Sequence, residues 1–340
     1  MEVRDHYNAR PNLGIVVRMD SRVYHLKNLN NWIKSVLIQK YVRPGDCVLD
    51  LCCGKGGDLL KWQKARVSSI VMADVALQSI KHAIERYNSS HHRPQFPAKF
   101  IAGDCFEVDL DKALDPAIQF DVVSCQFAVH YAFEDRKKVR RLLLNVSKRL
   151  KPGGVFIGTL PDANVLVRKL RNAQGLEFGN DLYRVRFDDP TKTGHWNKKF
   201  AQDDICGHRY GFYLEDAIGE GGAQTQTGEL TYVPEYLVPF PQFCRLAEEH
   251  DLKLDMGSNF HKFFNENCSE RIQNQLLYTI KVLNEEGTMS PQEWEIAYLY
   301  KTFAFRKKAH SEPDRPPPRQ QTKFPYPHNV PVLESEIMIL

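Results

Sequence analysis

The chain has 340 residues and a formal net charge of +4, from 46 lysines and arginines against 42 aspartates and glutamates. With 42% hydrophobic and 11% aromatic residues it can bury a sizeable core, which excludes disordered and collagen-like classes. No apolar run approaches the roughly 18 residues that a membrane span needs. Residues Met1 to Arg10 also lack the apolar stretch of a signal peptide, so we predict neither secretion nor membrane insertion.

The eight cysteines are scattered over a chain too large to depend on disulfides, which predicts free thiols in a reducing compartment. No C-x-x-C pair occurs, and no histidine has the spacing to a cysteine pair that a tetrahedral zinc site requires. We therefore predict no bound metal.

The first predicted helix runs from Leu29 to Tyr41, where the apolar residues form one stripe. Short apolar runs then alternate with helical patterns up to about residue 160. The predicted strands are Asp46 to Leu51, Ser69 to Ala73, Ala98 to Ala102, Phe120 to Gln126 and Gly154 to Leu160, and the helices are Gly57 to Lys64, Ala76 to Asn88 and Glu134 to Leu150. This alternation predicts an α/β fold with a mostly parallel central sheet, helices on both faces, and a ligand beyond the carboxyl ends of the strands.

After Pro161 the pattern is less regular, and we interpret residues 176–240 as a lid-like insertion. Its predicted elements are strands at Leu182 to Phe187 and Tyr210 to Leu214 and a Gly/Gln/Thr-rich loop at Gly219 to Gly228. The other predicted elements are helices at Val165 to Asn172, Phe240 to Asp251, Ser269 to Leu283 and Pro291 to Tyr298, and a final strand at Tyr300 to Phe305. We predict one domain over residues 1–310, with an N-terminal helical arm at 1–45, followed by a flexible Pro-rich tail at 311–340.

The segment Leu49 to Asp58 reads LDLCCGKGGD, an apolar strand followed by a glycine turn and the start of a helix. The dinucleotide pattern G-x-G-x-x-G, counted from Gly54, fails because its third glycine position is Leu59. Asp58 would moreover repel a pyrophosphate, whereas a carboxylate there suits helix capping or a cationic ligand. The loop thus favours S-adenosylmethionine, which carries a sulfonium and an ammonium group and no phosphate.

Two acids follow the next two predicted strands. Asp74 stands 20 residues after Gly54, where an acid in nucleoside-binding α/β folds accepts hydrogen bonds from ribose hydroxyls. Asp104 follows the third strand and is placed to accept the exocyclic amine of adenine. Each acid taken alone is as readily a solvated turn residue, but the loop and both acids on consecutive strand ends together predict the nucleoside site.

Six sequence blocks between His6 and about Phe305 carry a resemblance to one family. They are LNNWIKSVLI (Leu29 to Ile38), VLDLCCGKGGDLLKW (Val48 to Trp62), SCQFAVHYAFE (Ser124 to Glu134), PGGVFIGTLPDANV (Pro152 to Val165), VPEYLVPFP (Val233 to Pro241) and EWEIAYLYKTFAF (Glu293 to Phe305). In these blocks the chain resembles the eukaryotic mRNA cap (guanine-N7) methyltransferases, in particular their plant-type members. The glycine loop alone indicates only a methyltransferase, whereas the HY pair after QFAV, the VPEYLVPF block and the EWE block are specific to the family.

The resemblance implies a Rossmann-like class I fold dependent on S-adenosylmethionine. It implies methyl transfer to N7 of the 5′ guanosine cap of mRNA, by in-line attack, with catalysis through positioning and electrostatics. It further implies a nuclear enzyme that binds capped RNA and no membrane, acts as a monomer, and has an activating subunit or the transcription machinery as partner.

Carried over position by position, the resemblance also assigns the site. The implied cofactor contacts are Lys34, Cys52, Asp74, Asp104, Cys105, Gln126 and Tyr131. The implied cap-binding residues are Asn30, Asn31, Lys55, Lys61 and Arg86, with Glu235, His130 and Tyr300 at the reacting base. Cys52 departs from the family's pattern, which usually has Gly or Ala at this position.

The residues themselves support these roles and leave alternatives open. Glu235 could accept both N1–H and N2–H₂ of guanine, and the apolar run after it would shelter those bonds. For His130, Tyr131 and Tyr300 the alternative is core packing, and for the cations it is solvated surface charge. The competing functions are a methyltransferase of another nucleotide or small molecule and an inactive cap-binding homologue, the latter favoured by Cys52.

Overall fold

The structure is a computed structural model that describes residues 20–89, 96–194, 196–200, 205–219, 230–309, 325 and 331–340. The helices in these ranges are α1 (Tyr24–Tyr41), α2 (Leu59–Lys64), α3 (Leu77–Ser89), α4 (Val129–Ala132), α5 (Arg136–Ser147), α6 (Ala163–Asn172), α7 (Phe240–Glu248), α8 (Phe260–Asn267), α9 (Arg271–Thr279) and α10 (Pro291–Ala297). The strands are β1 (Cys47–Leu51), β2 (Ser69–Asp74), β3 (Ala98–Ala102), β4 (Phe120–Gln126), β5 (Leu150–Pro161), β6 (Glu177–Gly179), β7 (Tyr183–Phe187), β8 (Arg209–Leu214), β9 (Val233–Tyr236), β10 (Leu252–Asn259), β11 (Tyr300–Lys307) and β12 (Met338–Ile339).

The main sheet has eight strands in the order β10-β11-β5-β4-β1-β2-β3-β12. Strands β1 to β5 and β12 pair in parallel, whereas β11 pairs antiparallel with both β5 and β10. The predicted Rossmann-like fold with a mostly parallel sheet is thus confirmed. Because β1 has β2 on one side and β4 on the other, the strand order reverses at β1, and the carboxyl ends there flank a crevice in which α/β folds bind ligands.

Buried side chains cover both faces of this sheet. In β1, Val48 belongs to the core beneath α1 and Leu49 to the opposite core beneath α5, because successive strand residues point to opposite faces. Four residues of the predicted stripe of α1, Trp32, Ile33, Val36 and Leu37, are buried, and Tyr41 is half-buried. Trp32 donates a 2.9 Å hydrogen bond to the carbonyl of Gln273 in α9. Helix α1 is therefore packed onto the domain, and it begins at Tyr24, five residues before the predicted start.

The predicted insertion at 176–240 forms a second, antiparallel sheet in the order β6-β7-β8-β9. The two strands predicted there are present as β7 and β8, and β6 and β9 are additional. In its register Tyr210 of β8 stands opposite Glu235 of β9. Most of the predicted loop, residues 220–228, lies outside the described residues.

Helices α4 and α8 were not predicted, and both edges of the main sheet also differ from the prediction. Strand β10 was not predicted, because it is a largely exposed edge strand without an apolar run. Residues 331–340, predicted as part of a flexible tail, instead form a 3-10 turn at Glu334–Glu336 and strand β12 beside β3. The rest of the predicted tail, apart from residue 325, lies outside the described residues.

Candidate active site

The loop after β1 is shaped by backbone conformations that favour glycine. Cys52, Gly54 and Gly56 have φ angles of 54°, 53° and 68°, all in the left-handed region. A Cβ on Gly56 would lie 2.9 Å from Cδ1 of Leu59 and 3.2 Å from Cβ of Ala83, so only glycine lets the loop pack onto α3. The chain therefore turns sharply at the carboxyl end of β1 and leads into α2.

The two predicted acids lie at neighbouring strand ends, where backbone amides hold them. Asp74 accepts hydrogen bonds from the N–H groups of Gly54 at 2.8 Å and Ala76 at 2.9 Å. Asp104 accepts one from the N–H of Phe106 at 2.8 Å. Burial raises the pKa of both carboxyl groups above the usual range. Backbone amides thus orient Asp74 through both carboxylate oxygens and Asp104 through one. Each acid can still accept a further hydrogen bond from a ligand.

Six of the seven predicted cofactor residues line one cavity of about 850 Å³. They are Cys52, Asp74, Asp104, Cys105, Gln126 and Tyr131. The volume is that of a ligand pocket, and carboxylates at two strand ends suit the hydroxyl and amine donors of a nucleoside better than a phosphate. The cavity thus fits S-adenosylmethionine, and Lys34 is the one predicted cofactor residue that does not line it.

The Cys52 side chain is accommodated at the wall of this cavity, beside two other thiols. Its hydrogen bond with Cys105 lowers the pKa of the Cys52 thiol, but the hydrogen bond with Cys125 and burial outweigh this, and the pKa lies well above the usual value. All eight cysteines are free. The φ angle at Cys52 lies in the left-handed region that favours glycine, and the cavity remains open beside the thiol.

Glu235 is a buried carboxylate next to the cavity. Its side chain is held by Tyr210, whose hydroxyl donates a 2.7 Å hydrogen bond to Oε2, and its Oε1 lies 3.4 Å from Nε2 of His130. Burial and the Glu235 charge raise the pKa of Tyr210 well above its usual value, so the hydroxyl remains a donor. The neighbours of Glu235, Pro234 and Tyr236, line the cavity. Glu235 itself does not line the cavity, because successive strand residues point to opposite faces, and its side chain lies on the other face of β9, toward Tyr210 and His130.

The two predicted aromatic residues complete this cluster. His130 is 2% exposed, and neither of its ring nitrogens has a hydrogen-bond partner among the residues that the structure describes. Buried polar atoms of this kind are rare and often mark a ligand site. Tyr300 packs edge-to-face on Phe127 at 5.3 Å, and it is close enough to Tyr210 to raise the pKa of that residue. Glu235, His130 and Tyr300 are thus brought together as predicted.

Sequence reasoning missed Tyr210, the partner of Glu235. A tyrosine in a predicted strand carries no signal of its own, and its role follows only from the register of β8 and β9. The signal that could have found it is a pairing between the two strands, which the sequence alone does not provide.

Three of the remaining predicted residues meet at Asp58. The Asp58 carboxylate forms ion pairs of 2.7 Å with both Lys34 and Lys61, and Lys61 also donates a 2.9 Å hydrogen bond to Oδ1 of Asn31. Burial by itself would raise the pKa of Asp58, but the two ammonium groups hold it well below the usual range. Asp58 stands at the N-cap of α2 without a capping hydrogen bond from its side chain, so the capping role considered for it is wrong. It serves instead as counter-ion for two nearly buried lysines.

The other predicted cap-binding residues lie around the same loop. Lys55 is part of the loop, between Gly54 and Gly56. Nη1 of Arg86 stands 3.8 Å from the position that a Cβ on Gly57 would take. Asn30 is in α1, and its buried Oδ1 has no hydrogen-bond partner within the described ranges. The predicted cations thus converge on the glycine loop.

In the described ranges no group of three or more His, Cys, Asp or Glu residues is arranged to hold a metal ion. None of the described helices combines the length and the apolar character that crossing a membrane requires.

The fold and sequence match known methyltransferases. The methyltransferase CcbJ of Streptomyces caelestis superposes with a TM-score of 0.51 at 12% identity, over 91% of this chain and 97% of that one, which supports the fold. The mRNA cap guanine-N(7) methyltransferases 1 of Arabidopsis thaliana and rice are 46% and 44% identical, each over 92% of this chain and over 82% and 83% of their own length. Residues 1–308 match the mRNA (guanine-N(7))-methyltransferase domain. The chain therefore belongs to the mRNA cap (guanine-N7) methyltransferase family.

Proposed function

We propose that the chain methylates N7 of the guanosine that caps the 5′ end of mRNA. The observation that carries this proposal beyond the family is the Glu235 carboxylate, 2% exposed and held by Tyr210 beside the cavity. A buried carboxylate of this kind is costly unless it has partners, and its free accepting positions are the feature that selects a substrate.

Guanine supplies hydrogen-bond donors for the free accepting positions of Glu235. Its Watson–Crick edge presents N1–H and N2–H₂ side by side, and one carboxylate accepts both in a bidentate, charge-assisted pair. Adenine presents an acceptor at N1 and would leave the carboxylate with a repulsive contact. Glu235 therefore selects guanine over adenine, because a site built for a donor rejects a base that lacks it.

His130 and Tyr300 would orient the bound base. Nδ1 of His130, which has no hydrogen-bond partner among the described residues, would supply a hydrogen bond to it, and the Tyr300 ring would supply a flat surface. N7 of guanine carries a lone pair at neutral pH, so no side chain needs to act as a general base. The base gains positive charge as N7 is alkylated, and the negative charge of Glu235 favours that change.

The cavity wall would hold the cofactor. We assign Asp74 to the ribose hydroxyls, Asp104 and Cys105 to the adenine edge, and Cys52, Gln126 and Tyr131 to the remaining contacts. When bound, S-adenosylmethionine supplies the methyl group as an electrophilic carbon on sulfonium. Lys34 contributes indirectly in this proposal, because it pairs with Asp58 at the base of the glycine loop.

The cations around the loop would bind the triphosphate bridge of the cap. Lys55, Lys61 and Arg86, with Asn30 and Asn31 beside them, give affinity for phosphate without reading the base. The ion pair between Lys61 and Asp58 positions the ammonium group and offsets part of its charge. These residues therefore affect the KM for capped RNA more than kcat.

The test is transfer of labelled methyl from S-adenosylmethionine to RNA that ends in GpppG, ApppG or an uncapped 5′ triphosphate, followed by digestion to locate the label. Label at N7 of GpppG RNA alone is the expected result. Transfer to uncapped RNA, or equal transfer to ApppG RNA, would contradict the proposal and favour a methyltransferase with another acceptor. Binding of GpppG RNA and cofactor without any transfer would favour an inactive homologue.

We further infer a nuclear location, because cap methylation belongs to mRNA processing. Imaging of the tagged chain in cells tests this inference. The activating subunit or transcription machinery and the monomeric state remain predictions, which sedimentation of the purified chain with and without nuclear extract would address.

A further inference from the structure

The outer edge of β3 is covered by the segment 331–340. Met338 pairs in parallel with Ile101 and Ile339 with Ala102, and the N–H of Leu340 donates a 2.9 Å hydrogen bond to the carbonyl of Ala102. Strand β12 occupies a sheet edge that would otherwise present unpaired backbone groups.

This contact lies at the carboxyl end of β3, next to the cofactor cavity. Ala102 is the last residue of β3. The loop 103–105 follows it, and Asp104 and Cys105 of this loop line the cavity. The N–H of Gly103 donates a 2.9 Å hydrogen bond to the carbonyl of Asp74 on the side of β2. On the other side, a Cβ on Gly103 would lie 3.0 Å from Cβ of Leu340. The backbone that leads to Asp104 is thus held from both sides.

The segment 331–340 is anchored before it reaches this point. Nδ2 of Asn88 in α3 donates a 2.7 Å hydrogen bond to the carbonyl of Val332, and Oδ1 of Asn88 accepts a 3.0 Å bond from the N–H of Val332. Ile337 packs against the core on one face of the sheet and Leu340 against the core on the other. Ile339, by contrast, is 69% exposed.

We propose that the segment 331–340 holds the loop 103–105 in its cofactor-binding conformation, with Leu340 as the positioning residue. The segment lies outside residues 1–308, which match the family's domain. The proposal rests on the proposed assignment of Asp104 and Cys105 to the adenine end of the cofactor. A loop released from Leu340 has to be ordered on binding, and the entropy of fixing even one residue weakens affinity by about an order of magnitude.

The experiment compares Leu340→Ser with Ile339→Ser in the full chain, since both remove an apolar side chain but only that of Leu340 packs against the core cluster that contains Cys105, whereas Ile339 is exposed. Leu340→Ser should raise the Kd for S-adenosylhomocysteine and the KM for S-adenosylmethionine about tenfold. At saturating cofactor, kcat and the KM for capped RNA should remain as in the parent chain. Ile339→Ser should match the parent chain, and Leu340→Met, which retains an apolar contact, should restore most of the affinity.

Two reference measurements separate the outcomes. Asp104→Ala tests the adenine assignment by itself, and hydrogen exchange over residues 101–106 reports whether the loop has loosened. If Asp104→Ala weakens cofactor binding and Leu340→Ser does not, the positioning role is overturned while the proposed site stands. If neither variant weakens binding, the adenine assignment fails and this inference fails with it. A lower kcat together with a higher KM for both substrates in Leu340→Ser would indicate a general loss of structure and would also overturn the proposal.

Discussion

The candidate site has two halves that are assembled in different ways. The cofactor half is built mainly from Cys52, Asp74, Asp104 and Gln126, each at or just after the end of a strand from β1 to β4. The acceptor half consists of residues from α4, two strands of the inserted sheet and β11, namely His130, Tyr210, Glu235 and Tyr300. The first half requires only that parallel strands end at one edge, whereas the second requires that a separate antiparallel sheet lie against that edge. Ligand contacts of the first kind follow from local sequence, and those of the second kind do not.

If the two halves act independently, Glu235→Ala should lower the methyl-transfer activity more than any other single change. It should do so through the capped RNA alone and leave cofactor binding as it is. Loss of a bidentate, charge-assisted pair costs about 4 kcal/mol, which lowers kcat/KM for capped RNA about 1000-fold. The Kd for S-adenosylhomocysteine, measured by calorimetry, should be unchanged. Glu235→Gln retains the shape of the side chain and one acceptor, so its kcat/KM for capped RNA should lie between those of the parent chain and Glu235→Ala. A comparable loss of cofactor affinity in Glu235→Ala would show that the halves are not separable.

Asp58 links helices α1 and α2 beside the site, because it pairs with Lys34 of α1 and Lys61 of α2. Asp58→Asn leaves two nearly buried ammonium groups without a counter-ion, and we expect it to lower the free energy of unfolding by about 3 kcal/mol in urea titrations at neutral pH. The matched control is Asp255→Asn, which removes an exposed partner of Arg306 and should cost less than about 1 kcal/mol. Equal effects of the two substitutions would rule out the linking role.

The stability difference between the parent chain and Asp58→Asn should depend on pH. The pKa of Asp58 is lowered in the folded chain, so its ionised form contributes stability that is fully present above the ordinary Asp pKa of 3.8 and is lost as the pH falls below that value. The difference in unfolding free energy between the parent chain and Asp58→Asn should therefore be constant from about pH 8 to pH 5 and shrink in more acidic solution. A difference that grows on acidification would contradict the assignment of charge.

Asp74→Asn tests the cofactor half. The amide loses one of the two acceptor positions that hold Gly54 and Ala76, as well as the charge that favours ribose donors. We expect about 30-fold weaker binding of S-adenosylhomocysteine, near 2 kcal/mol, with an unchanged KM for capped RNA at saturating cofactor. Asp109→Asn is the control, because Asp109 also accepts a backbone N–H but does not line the cavity. A cofactor affinity equal to that of the parent chain would remove Asp74 from the site.

The difference between the halves also explains what the sequence could predict. The strands β1 to β5 and the acids after them were predictable because apolar runs and turn residues adjoin in the chain. The exposed edge strand β10 lacks such a run, and β12 was missed because the short apolar run Ile337 to Leu340 that contains it follows the Pro-rich segment and was assigned to the flexible tail. Glu235 and His130 were proposed through family resemblance, whereas their 3.4 Å approach depends on tertiary packing across more than a hundred residues.

Tyr210→Phe has the smallest expected effect and tests the part of the acceptor half that sequence reasoning missed. Its hydroxyl donates to Oε2 of Glu235, and loss of one buried hydrogen bond to a carboxylate costs about 1.4 kcal/mol, or a tenfold lower kcat/KM for capped RNA. Tyr183→Phe is the matched control, since Tyr183 lies in the same sheet and donates to Glu295 away from the cavity. Because Tyr210 acts through Glu235, its substitution should add nothing further in the Glu235→Ala chain, and additive losses would mean that Tyr210 contacts the substrate itself.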